Sequence, residues 1–396
     1  MNPPAVVRLG DHVSFLSGFA FKSSFFNTDG DGLPVVRIRD VKSGRSSTFY
    51  SGDYDPDFIV CDGDQLIGMD GEFSLAPWRG GKALLNQRVC KIVNTSDLLD
   101  TGYLVGFLPA VLKEIEDATP YATVKHLSVK TLREIEVPLP PLAEQRRVAA
   151  VLDRVDALRT GRREAIALLD DLARSVFLDM FGDPLANPRG WDRSKMKEFL
   201  LRVDSGKSPK CLDRPAGPGE WGVLKLGAVT RCVFVPGENK ALPSGSVPDT
   251  RHEVAAGDLL LSRKNTPDLV AACAYVRSTP ERLLMPDLVF RLVVADGAAV
   301  NKVYLHGLLT FPPKRRRLQE LASGSAASML NISKAKLLEF ECEIPPIGLQ
   351  EEFARRIEAI EACKVTHRAQ LAALDELFAS LRYRAFSGRL WDREAA

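Results

Sequence analysis

Two stretches of this 396-residue chain gather side chains that could grip or read a polyanion. Gly68-Met69-Asp70-Gly71-Glu72-Phe73-Ser74 is glycine-rich, follows an apolar run, and is trailed by Trp78-Arg79-Gly80-Gly81-Lys82. Ser262-Arg263-Lys264-Asn265-Thr266 stands in the equivalent place after a second apolar run. Arg and Lys pair with guanine edges or phosphates and Asn with adenine, so these types suit base readout; solvated turns are the plain alternative. Lys314-Arg315-Arg316-Arg317, just after Pro312-Pro313, suits phosphate tracking or a wet helix face. Two polar loops complete the set, one holding Tyr121, Lys125 and His126 and the other Ser325 and Asn331. The candidate contacts are therefore Met69, Asp70, Arg79, Lys82, Tyr121, Lys125, His126, Arg263, Lys264, Asn265, Arg315, Arg316, Ser325 and Asn331.

Catalytic constellations are scarce. Asn2-Pro3-Pro4-Ala5 resembles the N-P-P-aromatic motif of amino-methyltransferases but lacks the aromatic residue and any preceding strand. Asn27-Thr28-Asp29-Gly30-Asp31-Gly32 opens like a calcium loop, yet Ile38 stands where the bidentate Glu is required. No Walker loop, dinucleotide fingerprint, G-x-S-x-G or H-E-x-x-H occurs, and the five histidines have no metal-ligand spacing. The expectation is a chain that catalyses nothing and holds no metal.

The elements that must position these loops are duplicated. Pro140 to Phe181 and Pro345 to Phe386 align without a gap, each opening Pro-Pro-aliphatic and then a glutamine, Gln145 or Gln350. A long repeat of this kind marks a duplicated unit. Apolar residues recur by threes and fours in both copies, including Val148, Val155, Leu169 and Leu172, then Phe353, Ile360, Leu374 and Leu377. The pattern predicts two long helices of roughly 60 Å, each covering the other's apolar stripe as in a coiled coil. The stripe falters at Thr160-Gly161 and again at Thr366-His367.

Before each helix lies a globular α/β segment. Val35-Val36-Arg37-Ile38 is echoed by Val223-Leu224-Lys225-Leu226, and Gly63-Asp64-Gln65-Leu66-Ile67 by Gly257-Asp258-Leu259-Leu260-Leu261. Asn331 matches His126 in the same scheme. The chain divides into a first lobe, 1–137, a first long helix, 138–185, a second lobe, 186–342, and a second long helix, 343–396. Conserved scaffold with diverged surface is what two different ligand readers on one frame would look like.

Charge is nearly balanced overall, 53 basic against 51 acidic side chains, but 186–342 holds 24 basic against 16 acidic. That excess suggests a polyanion for the second lobe. The uncharged run Gly102 to Leu112 is too short to span a bilayer. The start lacks a secretory pattern, and seven cysteines form no CxxC pair, so a reduced, cytoplasmic protein is expected.

The stretches 63–92 and 117–158, together with the second Pro345-Pro346-Ile347 entry leading to Gln350, resemble the specificity subunit of type I restriction–modification systems. The likeness covers the whole chain. It departs at Gly348-Leu349, which precede Gln350 where Ala143-Glu144 precede Gln145. The resemblance implies a mixed α/β fold with two target-recognition domains separated by two long helices packed as an antiparallel pair, a pseudo-twofold internal repeat. It implies that each domain reads half of a split, asymmetric site in double-stranded DNA. Two adenine-methylating modification subunits are the implied partners, to which restriction or translocase subunits can be added. S-adenosylmethionine, ATP and Mg would belong to those partners, with no cofactor in this chain. A helical scaffold that assembles protein partners without reading DNA is the alternative from another class.

Overall fold

The computed structural model describes residues 4–119, 125–324 and 329–387. Tyr121 and Ser325 lie outside them. Two uninterrupted helices of 40 residues each, Leu142–Phe181 and Ile347–Phe386, are the longest elements. Pro-Pro precedes each, where a missing N–H costs nothing because the first turn leaves its donors unpaired anyway.

The chain forms two compact units, and their border crosses both long helices. One comprises Met1–Arg163 with Ala369–Ala396, the other Glu164–Arg368. Each unit therefore owns a lobe, half of one helix and half of the other. The faltering residues Thr160-Gly161 and Thr366-His367 do not break the helices; they lie where each helix passes from one unit to the other.

In the first unit, a four-stranded antiparallel sheet runs in the order Val13–Ser17, Val89–Thr95, Gln65–Gly68, Leu75–Pro77. A second sheet, built around Leu33–Val36 and its parallel neighbour Ala83–Leu85, covers one side of the lobe. The strand Ala5–Arg8 pairs antiparallel with Glu136–Leu139, the strand that leads into the long helix. The helix Thr101–Ala118 buries Tyr103, Leu104, Phe107, Leu108 and Leu112, and its N-cap Asp100 accepts from Tyr103 N–H.

The second unit repeats the plan. Its four-stranded sheet runs Leu200–Ser205, Val289–Val294, Leu259–Ser262, Cys273–Tyr275, and Arg193–Lys195 pairs with Glu341–Glu343. The lobe helix is here in two pieces, Lys302–Thr310 and Pro312–Gln319, because Pro312 and Pro313 cannot continue the first. Asn301 caps the first piece, accepting from Val303 and Tyr304 N–H.

One fully buried glutamine ties each lobe to its helix. Gln145 Oε1 accepts from Asp100 N at 2.8 Å, and its Nε2 donates to Leu98 O and Pro140 O, both at 2.9 Å. Gln350 repeats this with Asn301 N at 2.9 Å, Ala299 O at 3.0 Å and Pro345 O at 2.7 Å. Tyr103 and Tyr304 donate their hydroxyls to Pro138 O and Glu343 O on the entry strands.

The helix halves run antiparallel within each unit. In the second unit Asp170 meets Lys364, while Phe177 and Phe181 meet Phe353, so numbers rise on one helix as they fall on the other. In the first, Arg159 meets Asp375 at 2.6 Å and its guanidinium lies over Phe378. These contacts are the same device used twice. Arg159 pairs with Asp156 on its own helix and Asp375 on the other, and Lys364 pairs likewise with Glu361 and Asp170.

Val148, Val155, Phe353 and Ile360 are buried and Leu169 and Leu374 half-buried, but Leu172 and Leu377 are 46% and 45% exposed. The expected seam fails at these two. An α-helix turns about 100° per residue, and the face turned inward in the second unit is that of Leu169, Ala173, Val176 and Met180. Leu172 sits about a quarter turn off it. Leu377 stands in the same relation to Phe378, Leu381 and Ala385.

Replacing Gln350 by Ala strands one N–H and two carbonyls in the interior and should cost about 2–4 kcal/mol. Phe353→Ala, which empties the aromatic cluster with Phe177, Phe181 and Tyr304, should cost about 3–5 kcal/mol. Leu377→Ala should change stability by less than about 0.5 kcal/mol. Equilibrium denaturation of the full chain checks all three, and equal losses for Phe353 and Leu377 would refute this account of the buried face.

Candidate nucleic-acid interface

In the first lobe the chain leaves the strand Gln65–Gly68 still extended. Met69 N donates to Arg88 O at 3.0 Å, Leu127 N to Met69 O at 2.7 Å and Gly71 N to Lys125 O at 2.8 Å. Residues 69–71 are thereby laid beside 125–127, with Asp70 bridged to His126. Side chains of extended chain alternate between faces. Met69, Lys125 and Leu127 consequently turn inward and are buried, while Asp70 and His126 turn outward. His126 Nδ1 lies 2.5 Å from Asp70 Oδ1, and Arg88 Nη1 lies 3.1 Å from Asp70 Oδ2.

The second lobe uses the same backbone contacts with other side chains. Arg263 N donates to Leu288 O at 3.0 Å and Ile332 N to Arg263 O at 2.8 Å. Lys264–Asn265 pairs with Leu330–Asn331, placing Lys264 opposite Asn331 as Asp70 is opposite His126. Arg263 Nε donates to Asn331 Oδ1 at 3.1 Å, and its guanidinium lies 4.8 Å from the centre of the Phe290 ring. Lys334 Nζ approaches the same ring at 5.8 Å. An acid–imidazole pair in one lobe thus stands where cations and an amide stand in the other.

Several expected contacts are reassigned by this geometry. Met69 belongs to the core of its lobe. Lys125 is buried with its ammonium donating to Glu116 O. Asn265 is buried with its carbonyl oxygen accepting from Thr266 N at 2.9 Å. All three lie on the inward side of the alternation, which a list of base-pairing residue types does not reveal.

The basic run divides by helix geometry. Lys314 is buried and paired with Glu343 at 2.7 Å, Arg315 Nη2 donates to Asp268 O at 3.0 Å, and Arg317 reaches Glu320. Arg315 therefore holds a loop, and Arg316 and Arg317 are the exposed members. Arg79 and Lys82 are exposed on the turn after Leu75–Pro77, where the Trp78 indole donates to Gly81 O.

The structure adds residues that spacing did not single out: Arg88 on Asp70, Lys42 paired with Glu72, and Glu116. Glu116 accepts from Phe73 N at 3.0 Å and pairs with Lys113 at 3.0 Å. The Lys113 ammonium, helped by the Phe73 N–H, holds the Glu116 carboxyl below the usual carboxylate range. Among the described residues no His, Cys, Asp and Glu group is placed to hold a metal ion, and no helix is long and apolar enough to cross a membrane.

With this geometry in view, relatives are informative. The family model described as the type I restriction modification DNA specificity domain matches residues 3–168. The specificity subunit of the type I restriction enzyme EcoBI of Escherichia coli is 29% identical, covering 97% of this chain and 85% of that protein. The EcoKI specificity subunit of Escherichia coli strain K12 is 22% identical, covering 91% and 83%. The crystal structure of the S subunit of a type I system from M. genitalium covers 97% of this chain and 96% of that one, with a TM-score of 0.61 and 12% identity, and so shares the fold. Over residues 3–168 the chain matches that family model, and along nearly its whole length it is similar to specificity subunits of type I restriction enzymes.

Proposed function

We propose that this chain reads a bipartite, asymmetric double-stranded DNA site, one half with each lobe, and assembles catalytic partners without doing chemistry itself. The observation that carries the reading is the matched bridge in the two lobes: one backbone frame, with Asp70 and His126 on it in one lobe and Lys264, Asn331 and Arg263 in the other. Identical frames with different donors and acceptors are what reading two different half-sites requires, since each base pair presents its own donor–acceptor pattern in the major groove. The partners in this reading are two adenine-methylating modification subunits and, in a complete system, restriction or translocase subunits. S-adenosylmethionine, ATP and Mg are assigned to those partners, and the compartment to the cytoplasm.

A scaffold that binds only protein has one observation in its favour, the exposed Leu172 and Leu377 at repeat-equivalent positions. Binding to random duplex DNA at a series of salt concentrations separates the two. The DNA reading expects log K to fall linearly with log salt, by roughly 0.9 per phosphate contacted on B-form DNA; salt-independent binding, or none, favours the scaffold.

Selection from randomised duplexes by the chain with its modification subunits tests the named side chains. Lys264→Ala should relax preference at one or two base pairs of one half-site by about 1–3 kcal/mol, and Asp70→Ala should do the same in the other half. Arg316→Ala should weaken binding about equally on all sequences and lower the salt slope by about 1. Base preferences unchanged in the first two variants would move the reading face elsewhere.

A further inference from the structure

In both lobes a side chain near the end of the lobe helix holds the backbone of the loop that follows the outward-facing residue of the bridge. In the second lobe the loop is 266–270, directly after Lys264 and Asn265. Gln319 Nε2 lies 3.2 Å from Pro267 O, 3.1 Å from Asp268 O and 3.2 Å from Val270 O. Arg315 Nη2, one helical turn away, donates to Asp268 O at 3.0 Å. Four contacts from two side chains thus gather three carbonyls of one short loop. In the first lobe the loop is 71–74, directly after Asp70, and the contact has the opposite polarity. Glu116 Oε2 accepts from Phe73 N, while its Oε1 is held by Lys113 and its own backbone carbonyl by Lys125. Phe73 and Glu116 are both buried, so this contact is shielded from water.

We infer that Glu116 in the first lobe, and Arg315 with Gln319 in the second, are positioning residues that set the shape of the two reading loops and so the base preference of one half-site each. The inference rests on the DNA reading proposed above. The polarity follows from the loops. In the first lobe the buried Phe73 N–H needs an acceptor, because a buried backbone group without a partner is costly; in the second the helix offers donors to three carbonyls of a loop that is mostly exposed. Neither helix residue need touch DNA. Each acts on the bases through the loop, by fixing where Asp70 or Lys264 points.

The test is selection from randomised duplexes by the full chain with its modification subunits, comparing wild type with Gln319→Glu, Glu116→Ala, Arg315→Ala and Arg315→Lys. Gln319→Glu sets a carboxylate against three carbonyls and should lower discrimination in one half-site roughly tenfold. Glu116→Ala should do so in the other half. The salt slope should stay at the wild-type value in both, because no phosphate contact is removed. Arg315→Ala should follow Gln319→Glu, and Arg315→Lys, which keeps a donor, should restore most of the preference. Should Gln319→Glu fail to fold, Gln319→Ala and Arg315→Ala carry the same expectation. Wild-type preference retained in all variants, or lost equally in both half-sites, overturns the positioning role. A wild-type chain that shows no sequence preference overturns the DNA reading itself, a different failure from a specific wild type with unaffected variants.

Discussion

Everything in this molecule hangs on a glutamine that gives up water completely. Gln145 and Gln350 each make three hydrogen bonds from a fully buried amide, one accepted from the cap residue of the lobe helix, one donated to the loop just before that cap and one to the proline entry of the long helix. No apolar residue of similar shape could satisfy one N–H and two carbonyls at once, and a carboxylate would lack the donors. The amide fixes the angle at which a lobe leaves its helix, and it does so twice with the same partners. Tyr103 and Tyr304, bonded to the entry strands, lock the same joint from the other side.

On that fixed joint the two lobes are free to differ. The hydrogen bonds laying 69–71 beside 125–127, and 263–265 beside 330–332, run between backbone groups and are indifferent to side chain. What faces outward can then change from acid and imidazole to ammonium and amide without disturbing the sheet beneath. Glu116 and Gln319 illustrate the limit of that freedom: the loops beyond the bridge differ in backbone polarity, and the helix behind each has changed to suit.

The repeat, the long helices and the special place of the glutamines were legible in the sequence because periodicity and identity survive at fixed separation. The inward or outward sense of individual residues was less so. Met69, Lys125 and Asn265 lie in bridges of two or three paired residues beyond the longer strands, where too few positions alternate for a period of two to declare itself. Arg315 looked like a phosphate contact because a run of cations reads as one object, whereas a helix sends successive members to different neighbours. Leu172 and Leu377 looked like seam because a period of three and a half fits them, while the faces actually buried follow the lobe cores.

The composition of the two units also decides the order in which they can be finished during synthesis. The second unit, 164–368, is one continuous stretch, complete as soon as its last residue leaves the ribosome. The first is not. Phe378, Leu381 and Phe386 pack against its core, and Phe386 lies edge-on to Tyr103 and Phe107, residues about 280 positions earlier in the chain. Contacts so distant in sequence form late and leave apolar surface bare in the meantime. The lobe that is translated first is the lobe that closes last.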